Sequence, residues 1–272
     1  MKTVSHWSKT LNSFMNFNIY LPEDEISGQR GEHYPALYFL GGLGSNHENA
    51  AMKSGFARYA KKHRIAVVFP DTSPRNTGIA DISKDWEAGD SASYYVNATS
   101  DEYSKFFQMF TYINEELPEL VSTYFPINRK NVSITGFSMG GHGALISALK
   151  TGQFKSVSAF APMGNPTQSP HWGQKAFKLF FKNPEVEGKE YDATEILRSG
   201  NYHKVPTLID VGSADQFKEK MIVENLKEQL IESNYAHSWK TRPGYNHSFW
   251  YVSTFIEEHI EFHAKYLNYE KL

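Results

Sequence analysis

Residues 132–149 read Val-Ser-Ile-Thr-Gly-Phe-Ser-Met-Gly-Gly-His-Gly-Ala-Leu-Ile-Ser-Ala-Leu, and this stretch decides the fold. Residues 136–140 have the pattern Gly-x-Ser-x-Gly around Ser138. The β-branched residues before the pattern predict a strand, and the Ala/Leu-rich residues after it predict a helix that starts at once. Such a turn presents a serine hydroxyl at a helix N-terminus, where backbone amides favour developing negative charge. The competing interpretation is a glycine-rich turn without chemistry.

The rest of the 272-residue chain alternates short β-rich runs with longer helical stretches. Several runs, such as Ile-Ala-Val-Val-Phe at 65–69, are continuously apolar, as strands covered on both faces are. This alternation predicts one α/β domain with a central, mostly parallel sheet, in which ligands lie at the carboxyl ends of the strands. Pro118 predicts a kink or a restart within its helix. The predicted strands are 17–21, 36–40, 65–69, 132–135, 157–161, 207–211 and 237–242, and the predicted helices are 47–62, 104–123, 139–151, 219–233 and 249–266.

Composition excludes several classes of function. A formal net charge of −2 provides no field that would attract nucleic acid or acidic lipid. The absence of cysteine excludes disulfides, thiolate metal sites and a cysteine nucleophile, and it fits a reducing compartment. No apolar run approaches the ~20 residues needed to span a bilayer, and no secretory signal is recognisable. We therefore expect a cytoplasmic protein that binds neither nucleic acid nor membrane.

A serine hydroxyl becomes a good nucleophile only when a base takes its proton, so a histidine oriented by a carboxylate is required. In α/β proteins with a serine in such a strand-to-helix turn, the order along the chain is serine, acid, histidine. Of the eleven histidines, His247 follows a predicted strand, lies after a Pro-Gly turn and precedes the last predicted helix. His247 is therefore the predicted base. The others precede the serine or the acid, or lie within a predicted strand or helix.

Two of those other histidines have the spacing of a metal site. His259 and His263 lie four residues apart on the last predicted helix, as two ligands of one ion would. Glutamates around them favour a solvated helix face instead, and no third ligand is evident. The sequence thus predicts neither a metal site nor a cofactor.

Two aspartates near the carboxyl end of the predicted strand 207–211 are candidates for the acid. Asp210 lies within the strand, whereas Asp215 lies in the loop beyond it. A loop position suits a carboxylate that must orient a histidine in a neighbouring loop, so Asp215 is preferred and Asp210 is second. Either residue would alternatively serve as a turn or helix-cap aspartate.

The oxyanion hole requires two backbone amides. The sequence Leu40-Gly-Gly-Leu43-Gly-Ser follows an early predicted strand, where one amide is expected. Its glycines let the backbone bend so that the Leu43 amide can point at the oxyanion. The Met139 amide, directly after Ser138, is the other predicted donor.

With these residues assembled, the chain resembles the S-formylglutathione hydrolase family, also called esterase D. The resemblance implies an α/β-hydrolase fold, with residues 1–272 as a single domain. It also implies the triad Ser138, Asp215 and His247, with the Leu43 and Met139 amides as the oxyanion hole. The matching stretches are 35–43, 53–60, 70–75, 115–118, 136–145, 156–162, 215–217, 244–248 and 263–267.

The family hydrolyses S-formylglutathione to glutathione and formate, the last step of glutathione-dependent formaldehyde disposal, and often cleaves short-chain esters. The resemblance therefore implies a serine thioesterase or carboxylesterase that uses no cofactor and acts on a small-molecule thioester or ester. Family members are commonly dimers, which implies a homodimer. The alternatives are a general short-chain carboxylesterase not tuned to glutathione and a non-catalytic binding protein of the same fold.

One loop departs from the family pattern. Many members read Trp-Asp-Phe-Gly-x-Gly-Ala-Gly-Phe-Tyr, whereas residues 86–95 here read Trp-Glu-Ala-Gly-Asp-Ser-Ala-Ser-Tyr-Tyr. Phenylalanine has become Ala88, and two glycines have become serines. We expect this loop to alter acyl-chain tolerance and glutathione specificity. Trp86 is interpreted either as a wall of the substrate pocket or as a buried core aromatic.

Overall fold

The computed structural model describes residues 1–22, 33–80, 82 and 85–267. Within these residues, eight strands form one sheet, in the spatial order first, second, fourth, third, fifth, sixth, seventh, eighth. They are β1 (Lys2–Ser8), β2 (Ser13–Tyr20), β3 (Tyr34–Leu40), β4 (Ala66–Pro70), β5 (Ile127–Phe137), β6 (Val157–Phe160), β7 (Thr207–Gly212) and β8 (His237–Arg242).

The sheet is mostly parallel, which confirms the predicted α/β class. Only β2 runs against its neighbours β1 and β4, and every pair from β4 across to β8 is parallel. The carboxyl ends of β3, β5, β6 and β7 consequently meet at one edge. The loops that follow these strands carry the predicted chemistry.

Helices cover both faces of the sheet. They are α1 (Asn49–Lys53), α2 (Ala57–His63), α3 (Met109–Thr111), α4 (Leu117–Tyr124), α5 (Met139–Thr151), α6 (Gly173–Phe180), α7 (Pro184–Glu187), α8 (Ala193–Ser199), α9 (Lys218–Met221), α10 (Val223–Glu232) and α11 (Phe249–Leu267). No helix among the described residues combines the length and apolar character needed to cross a membrane.

Strand β3 shows why two layers of helices are needed. Leu37 and Phe39 pack with the residues of α2 and α11, whereas Tyr38 and Leu40 pack on the opposite face with residues of α4 and α5. Successive side chains of a strand point to opposite faces, so a continuously apolar strand must be covered on both sides. This arrangement explains the unbroken apolar runs of the sequence.

The predicted helix 47–62 is two helices. The chain leaves α1 at Ser54, and Gly55 has a φ of +70°, which a right-handed helix cannot contain. Two further parts of the fold were not predicted: β1, an edge strand of mixed polar and apolar residues, and the three helices α6 to α8 between β6 and β7. The prediction of a single domain over 1–272 includes residues outside the described ranges and stays a prediction.

The helix does restart near Pro118, as the sequence predicts. A π-helical turn, Tyr112–Glu116, joins α3 to α4 directly before Leu117 and Pro118. Proline has no amide hydrogen, so the carbonyl of Asn114 four residues earlier lacks its helical donor. Gln153 supplies the donor instead, with its side-chain amide 3.1 Å from that carbonyl oxygen.

Candidate active site

Ser138 lies in the tight turn between β5 and α5. Its φ is +61° and its ψ is −120°, a conformation that costs a non-glycine residue free energy and occurs where function requires it. The close approach of the turn to β3 explains Gly140, because a Cβ atom there would overlap the carbonyl oxygen of Leu40. The predicted strand, turn and helix are therefore present around Ser138.

Backbone hydrogen bonds hold the serine in this conformation. The Ser138 amide donates to the Phe160 carbonyl at 2.9 Å, and the Ser138 carbonyl accepts from the amides of His142 at 3.1 Å and Met163 at 3.3 Å. These partners lie at the end of β6, at the start of α5 and in the loop after β6. Main-chain groups of three segments thus determine where the hydroxyl points.

His247 and Asp215 form a hydrogen-bonded pair beside this turn. Asp215 Oδ2 accepts a hydrogen bond from His247 Nδ1 at 2.7 Å, and each side chain is only 7% exposed. Asp215 Oδ1 accepts from the Phe217 amide at 2.8 Å, which fixes the carboxylate. With Nδ1 bound to the carboxylate, Nε2 is the imidazole nitrogen left to accept a proton.

Two aromatic rings position the imidazole. The Phe137 ring lies 4.5 Å from the His247 ring at 30°, and the Phe217 ring meets it edge-on at 5.3 Å. Phe137 is the residue directly before Ser138. The imidazole is thereby held against the last residue of β5, directly before the serine.

Asp210, the second candidate acid, has other partners. It is fully buried on β7, where it accepts hydrogen bonds from Arg242 Nε at 2.8 Å and from the Tyr251 hydroxyl at 2.7 Å. These bonds anchor β8 and α11 to β7. The structure therefore brings Asp215, and not Asp210, to His247.

The loop after β3 runs against the serine. A Cβ atom added to Gly42 would lie 3.1 Å from Ser138 Cβ and 3.7 Å from its Oγ. In the part of the chain that the structure describes, the Leu43 amide donates to no protein acceptor. Met139 is the first residue of α5, so its amide has no acceptor within that helix. Both amides are available to a ligand oxygen.

An aromatic row extends from His247 to Trp86. Phe217 contacts both His247 and Trp172, and the Trp172 ring meets Trp86 edge-on at 6.2 Å. Trp86 is 55% exposed, so its interpretation as a buried core aromatic is wrong. Trp172 is buried and donates its indole hydrogen to Glu87 at 2.9 Å. Trp172 and Phe217 were not among the predicted site residues, although residues 215–217 match the family pattern.

The predicted solvated face around His259 and His263 is wrong. Both histidines are fully buried under the sheet. His263 lies between the hydroxyls of Ser156 and Ser158, at 2.7 and 2.8 Å, and His259 Nδ1 also contacts Ser158 at 2.8 Å. The described residues contain no cluster of three metal-ligand side chains. These histidines satisfy the buried hydroxyls of Ser158 in β6 and of Ser156 directly before it.

Ser158, His259 and Asp210 thus form a second serine–histidine–aspartate row. His259 Nε2 is 3.6 Å from Asp210 Oδ2, longer than a hydrogen bond. All three residues have zero exposure, and the His259 ring stacks on Phe160 at 3.5 Å. No substrate reaches this row, so its geometry serves packing rather than chemistry.

His142, one turn into α5, is buried and structural. Its Nε2 donates to the Tyr94 carbonyl at 3.1 Å, and burial lowers the pKa of His142 to about 4. The pKa values of His259 and His263 are also lowered by burial. Each of these residues is neutral in the folded protein near neutral pH.

We expect acid to destabilise the protein through these histidines. An unfolded histidine binds a proton near pH 6.5, whereas folded His142 binds one only near pH 4, so between these values the unfolded chain holds more protons. The contribution of neutral His142 to the free energy of unfolding is complete above pH 6.5 and is lost as the pH falls below that value. Between pH 7 and pH 5 we expect this free energy to fall by about 2 kcal/mol through His142. Urea unfolding at both pH values measures the loss, and His142→Gln, which cannot titrate, should reduce it by that amount. An equal loss in the variant would contradict the assignment.

Comparisons with known proteins give the family of the chain. The Esterase family model, described as "Putative esterase", matches residues 8–262. The S-formylglutathione hydrolase of Mus musculus is 40% identical over 98% of this chain and 94% of its own length. That of Paracoccus denitrificans is 39% identical over 96% of this chain and 92% of its own.

A solved structure extends the similarity to three dimensions. The S-formylglutathione hydrolase of Agrobacterium tumefaciens superposes with a TM-score of 0.91 at 36% identity, covering 97% of this chain and 94% of that one. The eight-stranded sheet with helices on both faces is therefore an α/β-hydrolase fold, and the protein is an esterase-type hydrolase. The chain belongs to the S-formylglutathione hydrolase family, within the α/β-hydrolase superfamily.

Proposed function

We propose that this protein hydrolyses S-formylglutathione to glutathione and formate, through a triad of Ser138, His247 and Asp215. The observation that carries the proposal is the 2.7 Å bond between Asp215 and His247 beside the strained turn of Ser138. A base oriented by a buried carboxylate, beside the turn that carries a serine, is the arrangement that acyl transfer requires. The substrate is the one named for the relatives, which are similar to this chain over nearly its whole length.

The proposed reaction has two halves. His247 Nε2 takes the proton of Ser138 as Oγ attacks the formyl carbon, and the Leu43 and Met139 amides donate to the oxyanion of the tetrahedral intermediate. The carbon–sulfur bond then breaks, which leaves a formyl ester on Ser138, and the departing thiolate takes the proton from His247 and leaves as the thiol. His247, neutral again, takes a proton from the water that attacks this ester. The ester bond breaks, the proton returns from His247 to Ser138 Oγ, and formate is released. A thiol has a pKa of ~8.5, so the leaving group needs little help from an acid.

The same residues would act on short-chain esters. This second function is favoured by the loop 86–95, where a buried alanine, Ala88, replaces the phenylalanine of many family members. Trp86, at the exposed end of the aromatic row, would form a wall of the substrate pocket. A change in this loop alters substrate preference and leaves the triad intact.

The deciding experiment compares kcat/KM for S-formylglutathione and for p-nitrophenyl acetate. We expect the thioester to be preferred by at least about 100-fold, because the glutathione moiety adds binding energy that a small ester lacks. A strong preference for p-nitrophenyl acetate would replace the proposal with a general carboxylesterase. Ala88→Phe, which restores the more common residue, is the matched variant for the contribution of the loop.

A cytoplasmic location and a part in formaldehyde disposal belong to the same proposal. They are supported by the absence of cysteine, which fits a reducing compartment, and by the substrate that the relatives' names give. A homodimer also remains a proposal, which sedimentation of the purified protein would test.

A further inference from the structure

Hydrogen bonds from two other segments hold the loop that carries Leu43. The Gly41 carbonyl accepts from the Tyr95 hydroxyl at 2.9 Å, and the Gly44 amide donates to the Ser91 carbonyl at 3.1 Å. The Ser45 carbonyl accepts from the Thr72 hydroxyl at 2.6 Å. These bonds fix the main chain on both sides of Leu43. The direction of the Leu43 amide is thus determined by contacts outside the site.

Arg75 joins three of the segments involved. Its Nε and Nη2 bond to the two carboxylate oxygens of Asp71 at 2.9 and 2.7 Å, and Nη2 also donates to the Ser45 carbonyl at 3.0 Å. Its Nη1 donates to the Ser91 hydroxyl at 2.8 Å. The guanidinium therefore connects the segment after β4, the Leu43 loop and the loop 86–95.

These hydrogen bonds require the planar, forked guanidinium group of arginine. Asp71 is almost fully buried, with its side chain 4% exposed, and it holds the guanidinium in one orientation. In that orientation the remaining hydrogens point at Ser45 and Ser91. A lysine ammonium is a compact group on a flexible stem and cannot serve these three separated acceptors with fixed directions.

We propose that Arg75 is a positioning residue for the oxyanion hole. It does not touch the substrate, and it acts by fixing the Ser45 carbonyl and thereby the Leu43 amide two residues earlier. The inference rests on the proposed function, because it assumes that Leu43 supplies a donor to the oxyanion. Ser91, one of the two serines at positions where many family members have glycine, provides a contact that a glycine could not.

If Arg75 positions the Leu43 amide, its replacement should lower kcat rather than raise KM. A donor to the oxyanion acts mainly in the transition state, so its displacement lowers kcat and leaves ground-state binding nearly unchanged. Removing such a donor outright costs ~100- to 1,000-fold in kcat, and a displaced donor should cost less. For Arg75→Lys we expect kcat to fall about 10- to 100-fold, with KM changed by less than about threefold.

Affinity for a trifluoromethyl ketone separates positioning from general damage. The ketone forms a hemiketal with Ser138 whose oxygen anion occupies the oxyanion hole, so its Ki should rise by the same factor as kcat falls. Arg58→Lys, at an exposed arginine of α2 remote from this network, is the matched control and should change neither value. Unchanged kcat and Ki in Arg75→Lys would overturn the proposal, as would a lower kcat with an unchanged Ki.

Two further measurements keep the test decisive. If Arg75→Lys does not fold, Ser91→Ala removes one of the hydrogen bonds of the guanidinium and leaves the ion pair with Asp71. We expect a smaller fall in kcat than for Arg75→Lys, with a rise in Ki by that same smaller factor. No change in either value would overturn the proposal. Labelling of Ser138 by a fluorophosphonate tests the proposed function separately. A wild-type protein that is not labelled would refute the triad, whereas labelling with an unaffected Arg75→Lys refutes only the role of Arg75.

Discussion

Replacing Ser138 with alanine is expected to lower kcat for p-nitrophenyl acetate at least about 10⁴-fold, because no covalent intermediate can form without the hydroxyl. Residual hydrolysis above the rate in water would come from the two oxyanion amides and from substrate binding. Stability should change little, since the Ser138 backbone, rather than its hydroxyl, makes the hydrogen bonds to Phe160, His142 and Met163. Steady-state kinetics and fluorophosphonate labelling, which the variant should lose completely, measure the result.

The control for this variant is Ser158→Ala. Ser158 belongs to the buried row with His259 and Asp210, which resembles a triad in composition but has zero exposure. We expect Ser158→Ala to retain labelling and at least about a third of the wild-type kcat, while losing stability because the two histidines lose their shared partner. Loss of labelling in Ser158→Ala together with normal labelling in Ser138→Ala would show that the nucleophile had been misplaced.

The site was predictable where the local backbone conformation restricts which residue types can occupy a position. A serine at positive φ in a tight turn, with Gly140 pressed against Leu40, requires small residues at fixed positions, and the pattern Gly-x-Ser-x-Gly records them. Asp215 and His247 were found because chain order and loop position restrict the candidates. The inner strands, β3 to β7, were found because they are largely apolar and buried on both faces. Their predicted ends differ from the observed ends by at most a few residues, except in β5, which begins at Ile127.

The rest depended on which residues meet across the fold. His259 and His263 were interpreted from the glutamates beside them in sequence, but on a helix the neighbours that matter are three and four residues away. Ile256 and Ile260 lie on the same stripe as His259 and His263, and that spacing already indicated burial. What it could not show is that two serine hydroxyls, one in β6 and one directly before it, face that stripe. The fork of Arg75 is equally invisible in sequence, because its partners come from residues 45, 71 and 91.

The two aspartates at the end of β7 should separate catalysis from stability. Asp215→Asn is expected to lower kcat about 10³- to 10⁴-fold, because the amide no longer holds the imidazole in the tautomer and orientation that leave Nε2 free, and no longer stabilises the imidazolium. The asparagine oxygen can still accept from the Phe217 amide, so the unfolding midpoint in urea should remain close to wild type. Kinetics and urea unfolding on the same preparation measure both effects.

Asp210→Asn should show the opposite behaviour. Arg242, only 15% exposed, would lose its ion pair with this buried carboxylate and keep its bond to Glu258, so we expect a loss of about 1–3 kcal/mol of folding free energy. Activity per folded molecule should stay within about fivefold of wild type, because Asp210 contacts neither His247 nor Ser138 and any effect must pass through the packing of β8 and α11. A large fall in kcat in a folded Asp210→Asn protein, with normal kcat in Asp215→Asn, would transfer the acid's role to Asp210. The bond between Asp215 and His247 argues for the reverse, because a carboxylate orients only an imidazole that it contacts.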